Sequence, residues 1–203
     1  MERTAYVIGL CVAFAIPASA DQVVYGWEDG ATILGKYGNV LEYNVGAPDP
    51  VHSGNRSLKL VDMSSTGPST PQAYVAWITG LQDGDQVEGR FWRYDVTPGT
   101  SPSCRIWGHW NDDPNNVMGY NGSAGGNENY GPGTGWDETG WVWTVSGGHT
   151  GLVIEVRTYS TDGDTVWIDD LTVIAPSHAT IHVAPEPTAL VLLGCIGALI
   201  RRR

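Results

Sequence analysis

The residues with the clearest potential for ligand chemistry are aromatic. The chain has nine tryptophans and nine tyrosines, and every tryptophan lies between Trp27 and Trp167. Aromatic rings stack on the apolar faces of sugar rings, while neighbouring polar side chains bond the hydroxyl groups. The candidates are Trp92, Trp107, Tyr120, Tyr130, Trp136 and Trp141, with Arg93, His109 and Asp137 as hydrogen-bonding partners. Core packing is the competing explanation for each ring, and it applies best to Trp77, Phe91 and Trp167.

No residue pattern predicts catalysis. The sequence has neither a Gly-x-Ser-x-Gly nucleophile elbow nor a His-Glu-x-x-His zinc motif. A sandwich glycosidase needs two carboxylates about 5 to 10 Å apart across a cleft, and no Glu-x-Asp-x-Glu alternation supplies them. Glu155 and Arg157 share a strand face and are predicted to form an ion pair on the solvent side. We therefore expect a protein that is not an enzyme.

Charge and cysteine content narrow the range of partners. The chain has 22 acidic and 11 basic residues and a formal net charge of −11. Nucleic acid is a poor partner for such a chain, since contacts to phosphate depend on clustered Lys and Arg. Neutral ligands or divalent cations suit it better. Cys104 is the single cysteine outside the two terminal segments, so no disulfide within the body is expected.

The segments that position these residues have the composition of β-strands. Residues 57–61, 73–78, 86–94, 151–159 and 165–173 are rich in β-branched and aromatic residues, and several alternate apolar with polar positions. Turn sequences separate them, including a predicted tight hairpin at Asp162-Gly163-Asp164. The expected fold is all-β, a two-sheet antiparallel β-sandwich of jelly-roll type, with a signal helix before it and a short transmembrane helix after it.

The stretch from Asn111 to Thr139 is rich in Gly, Asn and Asp and contains three of the candidate rings. It is too long for an ordinary hairpin loop, so we expect either a functional loop or a poorly ordered one. Asp112 and Asp113, with the asparagines that follow, have the ligand atoms for a cation. Asp and Asn beside Pro114 are also what an ordinary turn requires.

The N-terminus has the features of an export signal. Arg3 precedes an apolar segment, and Ala18-Ser19-Ala20 provides a small-x-small cleavage sequence. The predicted signal peptide is residues 1–20, cleaved between Ala20 and Asp21. Cys11 follows a bulky leucine inside the apolar segment, so lipidation is not expected.

At the C-terminus, Pro185-Glu186-Pro187 precedes the apolar run 188–200 and the basic cluster Arg201-Arg202-Arg203. A helix over this run would span about 20 Å, short of the roughly 30 Å hydrocarbon core, and the arginines would keep its end in the cytoplasm. The order of these three parts resembles the PEP-CTERM sorting signal of exported Gram-negative proteins. The resemblance implies cleavage near the Pro-Glu-Pro triplet by an exosortase and transfer of the body to the cell surface or matrix. An ordinary tail anchor is the alternative.

Four segments of the body resemble the jelly-roll carbohydrate-binding modules of the galactose-binding-like group. They are residues 27–30, 52–60, 80–92 and 167–173. In that group an early acidic residue, backbone carbonyls and a carboxylate near the end of the body hold a structural calcium ion. The resemblance implies that Glu28 and Asp169 ligate calcium, with Ser53 and Lys59 as carbonyl donors. The alternative is a plain polar cluster in which Asp170, facing the opposite way from Asp169, is solvated.

These features predict a signal peptide (1–20), a β-sandwich domain (21–178), a linker (179–184) and a sorting signal (185–203) with a transmembrane helix at 188–200. The first hypothesis is an exported surface or matrix protein of a Gram-negative bacterium, anchored transiently in the inner membrane, that binds a neutral extracellular polysaccharide without catalysis. A structural matrix or biofilm protein with no sugar ligand is the alternative. A hydrolase whose acid pair escapes notice is the third hypothesis.

Overall fold

Strands form two antiparallel sheets in the computed structural model, which describes residues 19–64, 70–96, 104–158 and 162–183. The strands, numbered in chain order, divide equally between the sheets. The back sheet contains β1 (Ala20–Tyr25), β3 (Val40–Val45), β4 (Ser57–Asp62), β6 (Gln86–Asp95), β9 (Gly135–Thr144) and β11 (Thr165–Pro176). The front sheet contains β2 (Gly35–Tyr37), β5 (Gln72–Thr79), β7 (Cys104–Trp110), β8 (Ser123–Gly126), β10 (Gly151–Thr158) and β12 (Thr180–Val183).

The strand order shows that chain neighbours are rarely sheet neighbours. The back sheet runs β3-β4-β11-β6-β9, with β1 paired to the C-terminal half of β11. The front sheet runs β12-β5-β10-β7-β8, with β2 paired to one end of β5. This arrangement confirms the expected two-sheet antiparallel sandwich. It corrects the hairpin at Asp162-Gly163-Asp164, because β10 and β11 on either side of that turn belong to different sheets.

The core lies between the sheets and is built mainly from inward-facing residues of the longer strands. Fully buried members include Leu58, Leu60, Val87, Phe91, Ile106, Leu152, Ile154 and Ile168. Phe91 is therefore a core residue, as predicted. Trp77 and Trp167, also predicted as core, lie on the outer faces instead. Trp77 packs against His182 at a ring distance of 5.0 Å. Trp167 is 8% exposed, and its indole Nε1 donates to Asp49 Oδ1 at 3.0 Å.

The five strands predicted from alternation are present, with ends shifted by a few residues. The stretch 111–139 holds more order than expected, since it contains β8 and the first half of β9. Within the predicted linker, Thr180–Val183 belong to the sandwich, because they pair with β5 as an edge strand. The signal peptide up to residue 18 and the sorting signal at 185–203 lie outside the described residues and stay predictions. Within the described ranges, no helix is long and apolar enough to cross a membrane.

Candidate functional site

A cleft of about 600 Å³ opens on the outer face of the front sheet. Its lining residues are Tyr37, Gln72, Tyr74, Met118, Tyr120, Ser123 and Arg157. Tyr37 and Tyr120 are 65% and 66% exposed, whereas Tyr74 is 5% exposed. The cleft thus combines two exposed rings and one buried ring with amide, hydroxyl and guanidinium groups. Such a mixture of stacking surfaces and hydrogen-bonding groups is what a sugar chain requires.

Strand register places the residues of the cleft floor. Tyr74 on β5 is opposite Glu155 on β10, and Gln72 is opposite Arg157. These side chains share the outer face, because Ala73 and Val156 between them point into the core. On β2, Tyr37 pairs with Gln72 and so stands beside the same floor.

The loop 111–122 forms the remaining wall and is fixed by its own polar side chains. Asn111 is 1% exposed, and its amide nitrogen donates to the Asn116 carbonyl at 2.9 Å. Asp112 accepts from the Thr150 amide at 2.8 Å, which ties the loop to the turn before β10. Asp112 and Asp113 therefore stabilise turns by accepting hydrogen bonds from backbone amides. The described part of the chain has no group of three His, Cys, Asp or Glu side chains placed to hold a metal. The loop presents Tyr120 to the cleft.

A buried ion-pair cluster lies under this wall. Glu155 is fully buried; its Oε1 accepts from His109 Nδ1 and its Oε2 accepts from Arg157 Nε at 2.5 Å. His109 Nε2 in turn donates to the Gly119 carbonyl at 3.1 Å. The ion pair between Glu155 and Arg157 is present, but the prediction that it faces solvent is wrong, because the loop 111–122 covers this part of the sheet.

The phenol of Tyr74 remains protonated over the physiological range. Burial, reinforced by the negative charge of Glu155, raises its pKa to about 12. Its ring also packs edge-on against His109 at 5.0 Å. Tyr74 can therefore act as a hydrogen-bond donor in the cleft floor at any physiological pH.

Trp107 lies beside the cleft but does not offer a free ring. The guanidinium carbons of Arg105 and Arg157 are 4.3 and 4.9 Å from its ring centroid. Its indole Nε1 donates to Ser123 Oγ at 2.9 Å. Tyr130 packs on the same Arg105 at 5.0 Å. The two rings predicted as sugar platforms thus hold arginine side chains in place.

Trp92 and Trp136 lie on the opposite side of the molecule, on the back sheet. The imidazole of His52 stacks on Trp92 at 4.1 Å and contacts Trp136 edge-on at 5.2 Å. Trp141, on edge strand β9, is 43% exposed and lines neither the cleft nor this stack. The six predicted rings are therefore divided among two faces and one edge.

Arg93 and Asp137 are structural residues within the described chain, although both were predicted as ligand partners. Arg93 is 2% exposed and its Nη2 donates to Asp137 Oδ2 at 2.9 Å. Its Nη1 donates to the carbonyls of Cys104 and Asn129, the latter at 2.7 Å. Gly131 is required here, because a Cβ at this positive φ would lie 2.8 Å from the guanidinium. This interaction links the back sheet to β7 of the front sheet.

The predicted calcium ligands hold one loop by its backbone amides. Asp169 is fully buried, and its Oδ2 accepts the amides of His52 and Ser53 at 2.9 and 3.1 Å. Glu28 Oε1 accepts the amides of Asn55 and Arg56 at 2.7 and 3.0 Å. Two carboxylates therefore clamp residues 52–56 from both ends.

The clamp does not fit calcium as it stands, because calcium needs an oxygen cage and the two carboxylates face N–H donors. Lys59, whose backbone carbonyl was a predicted ligand, lies within β4, opposite Tyr43 of β3 and Trp167 of β11. Calcium binding at Glu28 and Asp169 stays a prediction of the family resemblance. It predicts that a chelator lowers the melting temperature and that added calcium restores it. An unchanged melting temperature would show that Glu28 and Asp169 bind the backbone amides of residues 52–56 and not calcium.

The clamp makes stability depend on pH in a defined direction. The Asn55 amide, chiefly, lowers the pKa of Glu28 from its ordinary value of 4.5. A carboxyl whose folded pKa is lowered stabilises the fold above its ordinary pKa and loses that contribution as pH falls through the lowered value. In urea titrations we expect Glu28→Gln to be less stable than the parent near neutral pH, with the difference shrinking as pH falls below 4.5 and through the lowered pKa of Glu28. A constant difference at all pH values would contradict this assignment.

Comparison with known proteins gives a fold and no family. No family model and no curated protein matches the sequence. Among solved structures, the xylan-binding domain CBM22-1 of Paenibacillus barcinonensis Xyn10C has a TM-score of 0.53 and 12% identity, over 79% of this chain and 98% of that domain. The tandem CBM22-1-CBM22-2 structure from the same protein also has a TM-score of 0.53 and 12% identity. The match covers 84% of this chain and 48% of the tandem structure. The chain therefore has the same β-sandwich fold as these domains.

Six of the seven cleft residues were not predicted from sequence as ligand-binding: Tyr37, Gln72, Tyr74, Met118, Ser123 and Arg157. Tyr37 lies in a three-residue strand that is too short to show alternation. Tyr74 lies in an apolar strand where a core position was the natural expectation. One feature of the sequence could have indicated the cleft: Glu155 and Arg157 are two charged residues on one face of an otherwise apolar strand. Among the predicted rings, only Tyr120 lines the cleft.

Proposed function

We propose that this protein is a non-catalytic module that binds a polysaccharide in the front cleft. The observation that supports this most directly is the pairing of exposed Tyr37 and Tyr120 rings with Gln72, Ser123 and Arg157 on an open sheet face. Sugar rings can stack on the tyrosines while the polar side chains bond hydroxyl groups. The jelly-roll fold is compatible with this function and does not by itself establish it.

The back sheet also has an aromatic row, and it is a weaker candidate. Register aligns Tyr43, Lys59, Trp167, Tyr94 and Trp136 across five strands. The chain's own loop 46–56 occupies this face, because Asp49 bonds Trp167 and His52 stacks on Trp92. A ligand would have to displace these contacts, whereas the front cleft is open.

The second part of the proposal concerns location. The signal peptide and the Pro185-Glu186-Pro187 signal support export, processing by an exosortase and delivery to the cell surface or matrix of a Gram-negative bacterium. The apolar run 188–200 and Arg201-Arg202-Arg203 support transient anchoring in the inner membrane before cleavage. A tagged protein whose C-terminal segment stays attached in a host with active exosortase would contradict this part.

Removing the exposed rings tests the site. We expect Tyr120→Ala and Tyr37→Ala each to weaken polysaccharide binding by about tenfold or more, since each removes a stacking surface worth roughly 1.5 kcal/mol. Affinity electrophoresis against a panel of neutral and acidic polysaccharides measures the effect. Tyr43→Ala is the matched control, because Tyr43 is 46% exposed on the back sheet. If no polysaccharide retards the folded protein, the proposal is wrong, and the alternative of a structural matrix protein without a sugar ligand is favoured.

A further inference from the structure

Two arginines share one aromatic support at an end of the front cleft. Arg105 on β7 and Arg157 on β10 are register partners on the outer face of the front sheet. Both guanidinium groups lie over Trp107, within 5 Å of its ring centroid. Trp107 is bonded to Ser123, and both Ser123 and Arg157 line the cleft. Stacked guanidinium groups are pre-organised, so they lose little side-chain entropy when an anion binds.

The positive charge of this pair is incompletely neutralised. Glu155 is the carboxylate in contact with Arg157, and it serves His109 as well. Arg105 forms no ion pair with a carboxylate of the described residues, and its buried Nε lacks a hydrogen-bond partner there. The adjoining segments 97–103 and 159–161 contain no Asp or Glu. An anionic group bound to the terminal N–H groups of the pair would supply the counter-charge that Arg105 lacks among the described residues.

We infer that the front cleft binds an acidic polysaccharide, with the carboxylate of a uronic acid residue paired to Arg105 and Arg157. This rests on the proposed function and adds the class of sugar to it. A carboxylate matches the planar guanidinium with two parallel hydrogen bonds, which a neutral hydroxyl group cannot make. Neighbouring sugar rings stack on Tyr37 and Tyr120.

The net charge of the chain suggested a neutral ligand, and the local geometry reverses that expectation. The formal charge of −11 is distributed over the whole protein and acts at long range. At physiological ionic strength, charges separated by more than about 8 Å are largely screened. The contact between a carboxylate and the arginine pair is short and partly buried, so it decides the preference.

Calorimetric titration of the full-length protein with polygalacturonate and with unsubstituted neutral xylan tests the inference. We expect polygalacturonate to bind at least about tenfold more tightly, and the advantage to shrink as salt is raised to about 0.5 M. Arg105→Gln should remove most of this preference. The matched control is Arg90→Gln, because Arg90 is on the back sheet and bonds Glu88 at 2.6 Å.

Two results would overturn the inference, and they differ in what they say of the proposed function. Equal binding of both polymers, insensitive to salt and to Arg105→Gln but lost in Tyr120→Ala, would reject the acidic ligand and retain the binding site. Absence of binding to every polysaccharide by the folded protein would reject both. If Arg105→Gln fails to fold, the salt dependence of the unmodified protein decides the question alone.

Discussion

Replacing Glu155 by Gln is expected to lower the free energy of unfolding by about 3–5 kcal/mol. Glu155 is fully buried and is the counter-charge for Arg157, whose side chain is 14% exposed. It also accepts from His109, which is 1% exposed. Glutamine keeps the shape of the side chain but has no charge. One of its two terminal atoms is an NH2 donor, which would face the N–H donor of either Arg157 or His109. The cost is therefore that of leaving a buried charge and a buried donor without partners.

Urea denaturation followed by tryptophan fluorescence measures this loss. The matched control is Glu42→Gln, which removes the exposed ion pair between Glu42 and Lys36 at 2.9 Å. Exposed pairs contribute little, so the control should lose no more than about 1 kcal/mol. Similar losses in both variants would show that the cluster under the cleft does not hold the front sheet together.

Replacing Arg93 by Met is expected to destabilise the sandwich by about 3 kcal/mol, since it leaves Asp137 and two carbonyl groups without their donor. The estimate is at the lower end of the range for buried pairs because the Asp137 side chain is 30% exposed. Polysaccharide affinity, measured well below the melting temperature, should not change. That second readout separates a structural role from the ligand role that the sequence suggested.

Arg90→Met provides the control on the same strand. Arg90 faces outward, its side chain is 38% exposed, and it bonds Glu88 and Glu138. We expect its free energy of unfolding to change by less than about 1 kcal/mol. If Arg93→Met were equally mild but weakened polysaccharide binding, the interior assignment of Arg93 would be wrong.

The fold class could be predicted because the long strands have sequences that are typical of β-structure. The first half of β6 alternates polar with apolar or small residues, as expected for a strand with one face in the core, and β11 is rich in apolar and β-branched residues. β2, β8 and β12 could not be found this way, since each has three or four residues and lies at or near a sheet edge. Their position depends on pairing with β5 or β7, which no local pattern encodes.

The candidate site was harder to predict than the fold, for a geometric reason. Alternation states which residues of a strand share a face but not which sheet the strand joins. Trp92 on β6 and Trp107 on β7 therefore appeared equivalent, although they lie on opposite sides of the sandwich. Residue type is also a poor guide, because a tryptophan suits sugar stacking but the ring of Trp107 is covered by Arg105 and Arg157.

Hydroxyl-radical footprinting of the full-length protein, with and without a polysaccharide that binds it, tests the central claim most directly. The method reports the exposure of Tyr, Met and Leu side chains, and each face has exposed side chains of these types. We predict protection of Tyr37, Met118 and Tyr120 in the front cleft, with no change at Tyr43 and Leu41 on the back sheet. Protection of Tyr43 and Leu41, with the three cleft residues unchanged, would contradict the account.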